Sequence, residues 1–389
     1  MNVLISVDGP SYTTFERYAG SFIENGFSSC KKLITTFPSV TFTAHATAIT
    51  GNHGNKHLVY DNVLLRGSTM EQVPLYGDHE LICNDELHKQ TLFHSLAASS
   101  LTSCCIHWPL TSGNPYINHL VTESSSKKRI QARDIDAVYE VDGIAIRETL
   151  GAIQSNAYDF VATRFVGYDA LSHQHGKDSV EAIHCLETLL DYVNDIHRAL
   201  EESGTAYNLI VFSDHGQSDV RTFFYPNKIL AQSVWQQELL NNQIRFVGDG
   251  SGSMLFYSSL EQEQNQKIMD YFNEMTEVSH FYALVKLEGE HNSELRPAGI
   301  MDLNDTVCGE DIFATEEPKY VGLKSLHGYH PHIVDEMNGF MIWIGDGLKR
   351  GVQLEQQSIG SIAPTVAKLF GIHHPCTSTE IKDIIRELK

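Results

Sequence analysis

An α/β fold, built on a largely parallel sheet with a smaller α+β insertion, is predicted by three observations. Short apolar runs end in acidic residues: Val3-Leu4-Ile5-Ser6-Val7 leads to Asp8, and Asn208-Leu209-Ile210-Val211-Phe212 leads through Ser213 to Asp214-His215. Runs that are β-branched and apolar on both parities mark strands covered on both faces. Between an expected strand over 157–167 and the one before Asp214, residues 178–202 place Val180, Ile183, Leu186, Leu190, Val193, Ile196 and Leu200 at helical spacing. That makes a strand-helix-strand unit, whose strands end at one edge of a parallel sheet. From Ser218 to Leu326 the pattern is less regular. Residues 1–217 and 327–389 are therefore read as the core and 218–326 as the insertion near the site, although that segment could equally belong to the core.

The totals narrow the functional classes. A chain of 389 residues, 42% hydrophobic and 20% charged, is long enough for one large α/β domain with an elaboration. Asp and Glu outnumber Lys and Arg by 49 to 28, and the net charge of −21 argues against binding a nucleic-acid polymer, which needs a basic surface. An anionic substrate would then need a local positive charge, which metal ions held by some of the 20 histidines could supply. No run approaches the roughly 20 apolar residues that span a bilayer, and Asp8 interrupts the first one at once. Seven cysteines lie scattered without C-x-x-C spacing. Reduced thiols in a cytoplasmic protein are the expectation.

In chain order, Asp8-Gly9 follows the first strand and is either a turn or a ligand position. Residues 13–25 carry Phe15, Tyr18 and Phe22 on one helical face, stopped by Gly26. The segment from Leu33 reads as a loop entering a helix rich in small residues, Thr41 to Thr50, with Thr41 at the N-cap and Gly51 beyond its end. A threonine at a helix amino terminus is an ordinary cap; beside a divalent metal it can also be held as an alkoxide nucleophile. Asn62, in the polar loop after Tyr60-Asp61, could donate to a phosphoryl oxygen.

A helix over 90–99 and a strand with its exit loop over 102–109 precede Lys127-Lys128-Arg129, the compact basic cluster, which is either a solvated loop or a lid over an anionic substrate. Beyond the next strand, Asp169 and His173 stand four apart, so a helical turn aims both at one ion. Gly216 is expected to let the backbone turn so that Asp214 and His215 face one pocket. The insertion carries expected strands over 254–257 and 281–285 around a helix over 261–275. His327-Gly328 then precedes the strand Gly339 to Gly345, and a helix over 361–372 closes the chain.

The order Asp8, Thr41, Asp169-x-x-x-His173, Asp214-His215, His327-Gly328 resembles the type I phosphodiesterase and nucleotide pyrophosphatase family of the alkaline phosphatase superfamily. Thr41-Phe42-x-x-His45 through Thr50-Gly51 to Asp61-Asn62 is similar to that family's nucleophile segment, and Ala363-Pro364-Thr365 with Gly371-Ile372 to its closing helix. The resemblance implies an alkaline-phosphatase-like three-layer sandwich and a hydrolase of phosphoric ester or phosphoanhydride bonds. It also implies a centre of two Zn2+, or other divalent transition metals, with Asp8, Thr41, Asp214 and His215 at one ion and Asp169, His173 and His327 at the other. Thr41 would be the nucleophile, Asn62 the contact to the phosphoryl oxygen, and a phospho-threonine the intermediate. Tyr60, Tyr168 and His175 are candidates for the substrate pocket.

The partner expected is a small phosphorylated molecule, a nucleotide among the candidates. A phosphomonoesterase or phosphonoacetate-type hydrolase on the same centre is the alternative, and for a monoester Lys56, Arg164 or the 127–129 cluster would have to face the pocket. A protein that only binds a phosphorylated ligand is the reading from another class.

Overall fold

The computed structural model describes residues 1–75, 85–122, 135–284, 294–313 and 316–386. Its main sheet has eight strands in the order Gln353–Ser358, Ser28–Ile34, Gly339–Gly345, Asn208–Phe212, Asn2–Val7, Phe160–Phe165, Ser103–Ile106, His119–Val121. Asn2–Val7 pairs in parallel with both neighbours, Ser6 lying opposite Phe212 on one side and Arg164 on the other. Asp8, Asp214 and the start of the Gly167–His175 helix thus reach the same edge. Gly339–Gly345 is the exception, antiparallel to Asn208–Phe212 and to Ser28–Ile34. Because it runs the other way, its amino end lies at the edge where its neighbours finish, and the loop from His327 enters there.

Helices cover both faces. On one, Phe15 and Phe22 of Tyr12–Glu24 and Leu186, Leu190 and Val193 of Val180–Glu202 pack on Val3, Ile5 and Val7; on the other, Ala44 and Ala48 of Thr41–Thr50 and Val366 of Ile362–Phe370 pack on Leu4, Ala162 and Ile210. This is the three-layer arrangement of an alkaline-phosphatase-like α/β fold.

Residues beyond 218 build a second, antiparallel sheet in the order Ile244–Val247, Ser253–Ser258, Gly299–Leu303, Val278–Ala283, with Gln262–Asn273 packed on it through Ile268, Met269 and Phe272. A further apolar cluster joins this sheet, through Val247, Leu255 and Ile300, to Phe42 and Ala46 of the Thr41–Thr50 helix and to Val59, Tyr60 and Leu64.

Several strands escape a reading by apolar runs, among them two in the main sheet beside Gly339–Gly345 or at its edge. Ser28–Ile34 alternates and was expected in part as loop, while Gln353–Ser358 is a polar edge strand with exposed residues. Lys127-Lys128-Arg129, Cys83 and Val285 lie outside the described residues.

Candidate active site

Thr41 is the first residue of its helix, not the N-cap as expected: Val40 holds that position with extended backbone and makes no side-chain capping bond. The Thr41 hydroxyl is therefore not spent on its own helix. Its Oγ1 lies 3.1 Å from His215 Nε2, at a helix end that favours negative charge. The loop before it is tied to both neighbouring loops: Thr35 Oγ1 donates to the Asp214 carbonyl at 2.5 Å, and Ser39 Oγ donates to the Tyr329 carbonyl at 2.7 Å while accepting from the Gly328 N–H at 3.1 Å. Asn62 Oδ1 accepts from the Phe42 N–H at 3.1 Å, so the free side of that amide is its NH2 donor.

Around the hydroxyl the side chains gather in two groups, Asp8 with Asp214 and His215, and Asp169 with His173 and His327; within each, one ligand atom per residue lies within 4.8 Å of the others. His215 Nε2 is 3.5 Å from Asp8 Oδ1 and 3.3 Å from Asp214 Oδ2; His173 Nε2 is 3.4 Å from Asp169 Oδ2 and His327 Nε2 3.8 Å from Asp169 Oδ1. The rings of His215 and His327 lie 4.0 Å apart, which joins the groups. Two imidazoles have their tautomers set by carbonyls, His173 Nδ1 donating to Ser325 O at 2.8 Å and His215 Nδ1 to Gly216 O at 3.1 Å. Each Nε2 is left with a lone pair facing inward.

Glycines make room for this. Gly9 has φ +92°, and a Cβ there would come within 2.9 Å of Asp169 Cβ. At Gly216 the reason differs from the expected turn: its φ is not in the left-handed region, and a side chain would run into the Glu336 carbonyl oxygen and Ser11.

The electrostatics favour a cation. Burial pushes the Asp8 carboxyl well above the usual range, opposed by the Arg164 guanidinium and reinforced by Asp214 and Asp169. Burial acts the same way on Asp169 and Asp214 but is outweighed, by His173 and His327 at Asp169 and by His215 and His45 at Asp214, so both stay below it. His327 is lowered well below its ordinary value by burial and by His215. Asp8 Oδ1, Asp214 Oδ2 and His327 Nδ1 are buried without a hydrogen-bond partner among the described residues. Orphaned oxygens and nitrogens are costly, and this set of N and O donors is one that divalent zinc accepts.

Three residues about the site were not given these roles from sequence. Arg164 clamps Asp8, Nε at 2.6 Å and an Nη at 2.5 Å from Oδ2; a lone arginine inside an otherwise apolar strand is the signal that marks it. His45, fully buried, places Nδ1 2.8 Å from the Thr41 carbonyl and 3.3 Å from Asp214 Oδ2, with Nε2 2.9 Å from Ser6 Oγ. Gln217 Nε2 donates to Asp169 Oδ1 at 2.6 Å.

The pocket candidates fare unevenly. Tyr60 is buried beside Phe42, its hydroxyl without a partner among the described residues. Tyr168 is instead a core residue, its ring among the cluster under Val180–Glu202 and its hydroxyl donating to the Lys177 carbonyl at 3.0 Å. His175 closes the Gly167–His175 helix, Nδ1 4.0 Å from Glu181 Oε1.

The family model of type I phosphodiesterase / nucleotide pyrophosphatase matches residues 2–302. The chain belongs to that family. Its members are hydrolases acting on phosphoester bonds, and the matched stretch holds Asp8, Thr41, Asp169, His173, Asp214 and His215 and stops short of His327. Among solved structures, murine ectonucleotide pyrophosphatase / phosphodiesterase 5 is 12% identical with a TM-score of 0.75, covering 99% of each chain. An inactive variant of that murine protein in complex with AMP matches equally. Its human counterpart is 14% identical, also at 0.75 and 99% of each chain. At such identities the likeness concerns the fold. No curated protein matches the chain.

Proposed function

We propose that this member of the type I phosphodiesterase / nucleotide pyrophosphatase family hydrolyses a small nucleotide or related phosphodiester through a phospho-threonine on Thr41, at a two-zinc centre. The observation that carries the reading is the Thr41 hydroxyl at a helix amino terminus, 3.1 Å from His215 Nε2 and flanked by the two ligand groups. Asp8, Asp214, His215 and Thr41 would hold one ion and Asp169, His173 and His327 the other. Zinc there would supply the positive charge that favours the alkoxide form of Thr41 and steadies the attacking and leaving oxygens.

The chain's own groups do the rest. Thr41 Oγ1 bonds to phosphorus as the bond to the leaving alcohol or phosphate breaks, and water then cleaves the Thr41–phosphorus bond to regenerate the hydroxyl. The Asn62 NH2 is available to a phosphoryl oxygen. His45 bridges the Thr41 carbonyl and Asp214, which keeps the nucleophile's helix in register with a ligand.

A nucleotide substrate is supported by the AMP bound to the solved murine relative. A diester is favoured over a monoester because Arg164, a cation that the extra charge of a monoester would need, is engaged by Asp8. A cytoplasmic setting is supported by the six of the seven cysteines that lie among the described residues, which are all unbridged. The test compares bis(nitrophenyl) phosphate with nitrophenyl phosphate on zinc-loaded protein. Faster turnover of the diester is expected, and preference for the monoester would overturn the diester assignment.

A further inference from the structure

The segment from 218 to 326 leaves and rejoins the rest of the chain through one narrow neck, where Ser218–Asp219 pairs antiparallel with Ser325–Leu326. Gln217 and Ser325, both buried, stand at that neck. Gln217 reaches Asp169 twice, Nε2 lying 2.6 Å from Oδ1 and 3.3 Å from the carbonyl. Its Oε1 accepts from the Ser325 hydroxyl, which also lies 2.7 Å from the Ser172 carbonyl. The Ser325 carbonyl accepts a hydrogen bond from His173 Nδ1 at 2.8 Å, and the neighbouring Lys324 N–H donates to the His173 carbonyl at 2.9 Å. Two of the three residues assigned to one ion are thus held at this neck, His173 by the returning strand and Asp169 by Gln217 just before the outgoing one.

The orientation of the Gln217 amide follows from chemistry. An ionised carboxylate only accepts, so the face turned to Asp169 must be the NH2, and the oxygen is left for Ser325. With Oδ1 engaged, Asp169 is left with Oδ2, the atom 3.4 Å from His173 Nε2. A hydrocarbon or thioether side chain of similar length would fill the same space without making that choice.

We propose that Gln217 and Ser325 are positioning residues for the Asp169-His173-His327 ion: Gln217 selects Asp169 Oδ2 as the metal-facing oxygen, and Ser325 fixes both Gln217 and the His173 tautomer. This rests on the two-ion reading above. It makes the neck of the insertion part of the site's support, so that whatever displaces the insertion acts first on this ion. Partners that orient a ligand in this way are worth about 10–100-fold in metal affinity.

The experiment is zinc titration of the metal-free full-length protein against a chromophoric chelator, with zinc counted per chain by native mass spectrometry, for the wild type, Gln217→Met and Ser325→Ala. In Gln217→Met one of two ions is expected to bind about 10–100-fold more weakly, and the other as in the wild type. Ser325→Ala keeps the carbonyl that holds His173 and is expected to show a smaller loss at the same ion. Two unchanged affinities in Gln217→Met would overturn the proposal, as would equal weakening of both ions, which marks a packing residue. A wild type that takes up fewer than two ions would instead overturn the two-zinc reading itself.

Discussion

Asp8, Asp214 and His215 are sealed, with no side-chain exposure, at the ends of adjacent parallel strands, whereas Asp169 and His173 keep 14% and 26% of their side chains accessible on a helix and His327 arrives on a loop. In the first group the backbone does the positioning, because neighbouring strands in register bring their terminal residues together. In the second, position depends on borrowed contacts: Gln217 and Ser325 for Asp169 and His173, Ser39 and Gly252 for the segment carrying His327. A site that pairs a rigid half with a supported half should lose the supported half first under any disturbance.

Thr41→Ala is the largest expected effect and falls on the sealed half, beside His215. Removing the nucleophile should cost about 10^3–10^6-fold in kcat while leaving zinc at the Asp169 group. Steady-state rates on an aryl diester, with zinc counted per chain, would show it, and wild-type turnover in the mutant would refute the nucleophile assignment.

Next in size is the contrast between His215→Asn and His173→Asn. Each should cut zinc uptake from two ions to one. The first should lower activity more, since His215 lies beside the hydroxyl. Equal losses would break the distinction drawn between the halves.

Acid should separate the halves too. Burial works to lower His173, but the Asp169 carboxylate outweighs it, so the folded value is raised. In the metal-free protein the stability this contributes is fully present below the unfolded value and is lost as pH rises through the folded one. Zinc must displace that proton, so affinity at the Asp169 group should fall about tenfold per pH unit below the raised value. The ion there should leave first as the pH drops through that raised value, and activity should follow. Zinc stoichiometry against pH tests this; simultaneous loss of both ions would contradict it.

The smallest effect concerns Ser39, which is fully buried and joins the nucleophile loop to Gly328 and Tyr329. Ser39→Ala should cost about 1–3 kcal/mol of stability, measured by denaturant unfolding, and loosen the ion at His327 without moving the other. Unchanged stability would show that the loop finds other support.

Much of the site was legible because chemistry-bearing residues interrupt otherwise apolar patterns. Asp8 and Asp214-His215 end runs that admit no other charge, and Asp169 with His173 repeats at the spacing of one helical turn. Where a residue's role depends on what faces it, the pattern misled. Tyr168 adjoins Asp169 in sequence yet turns into the core, because consecutive residues on the Gly167–His175 helix face different directions. Gly216 reads as a turn residue, but its requirement is set by the Glu336 carbonyl pressing on it from another loop. Gln353–Ser358 lacks an apolar run because an edge strand can leave its side chains in water.

The sequence by itself determined the α/β class, the two acid–histidine pairs that follow its strands, and the threonine that opens a helix, since these follow from local periodicity and side-chain chemistry. Only the tertiary structure decided that Gly339–Gly345 runs against its neighbours and so carries His327 to the active edge, that Arg164 is bound to Asp8, and that Gln217 holds Asp169. Each is a contact between residues over forty positions apart, and no local pattern records what lies across a sheet.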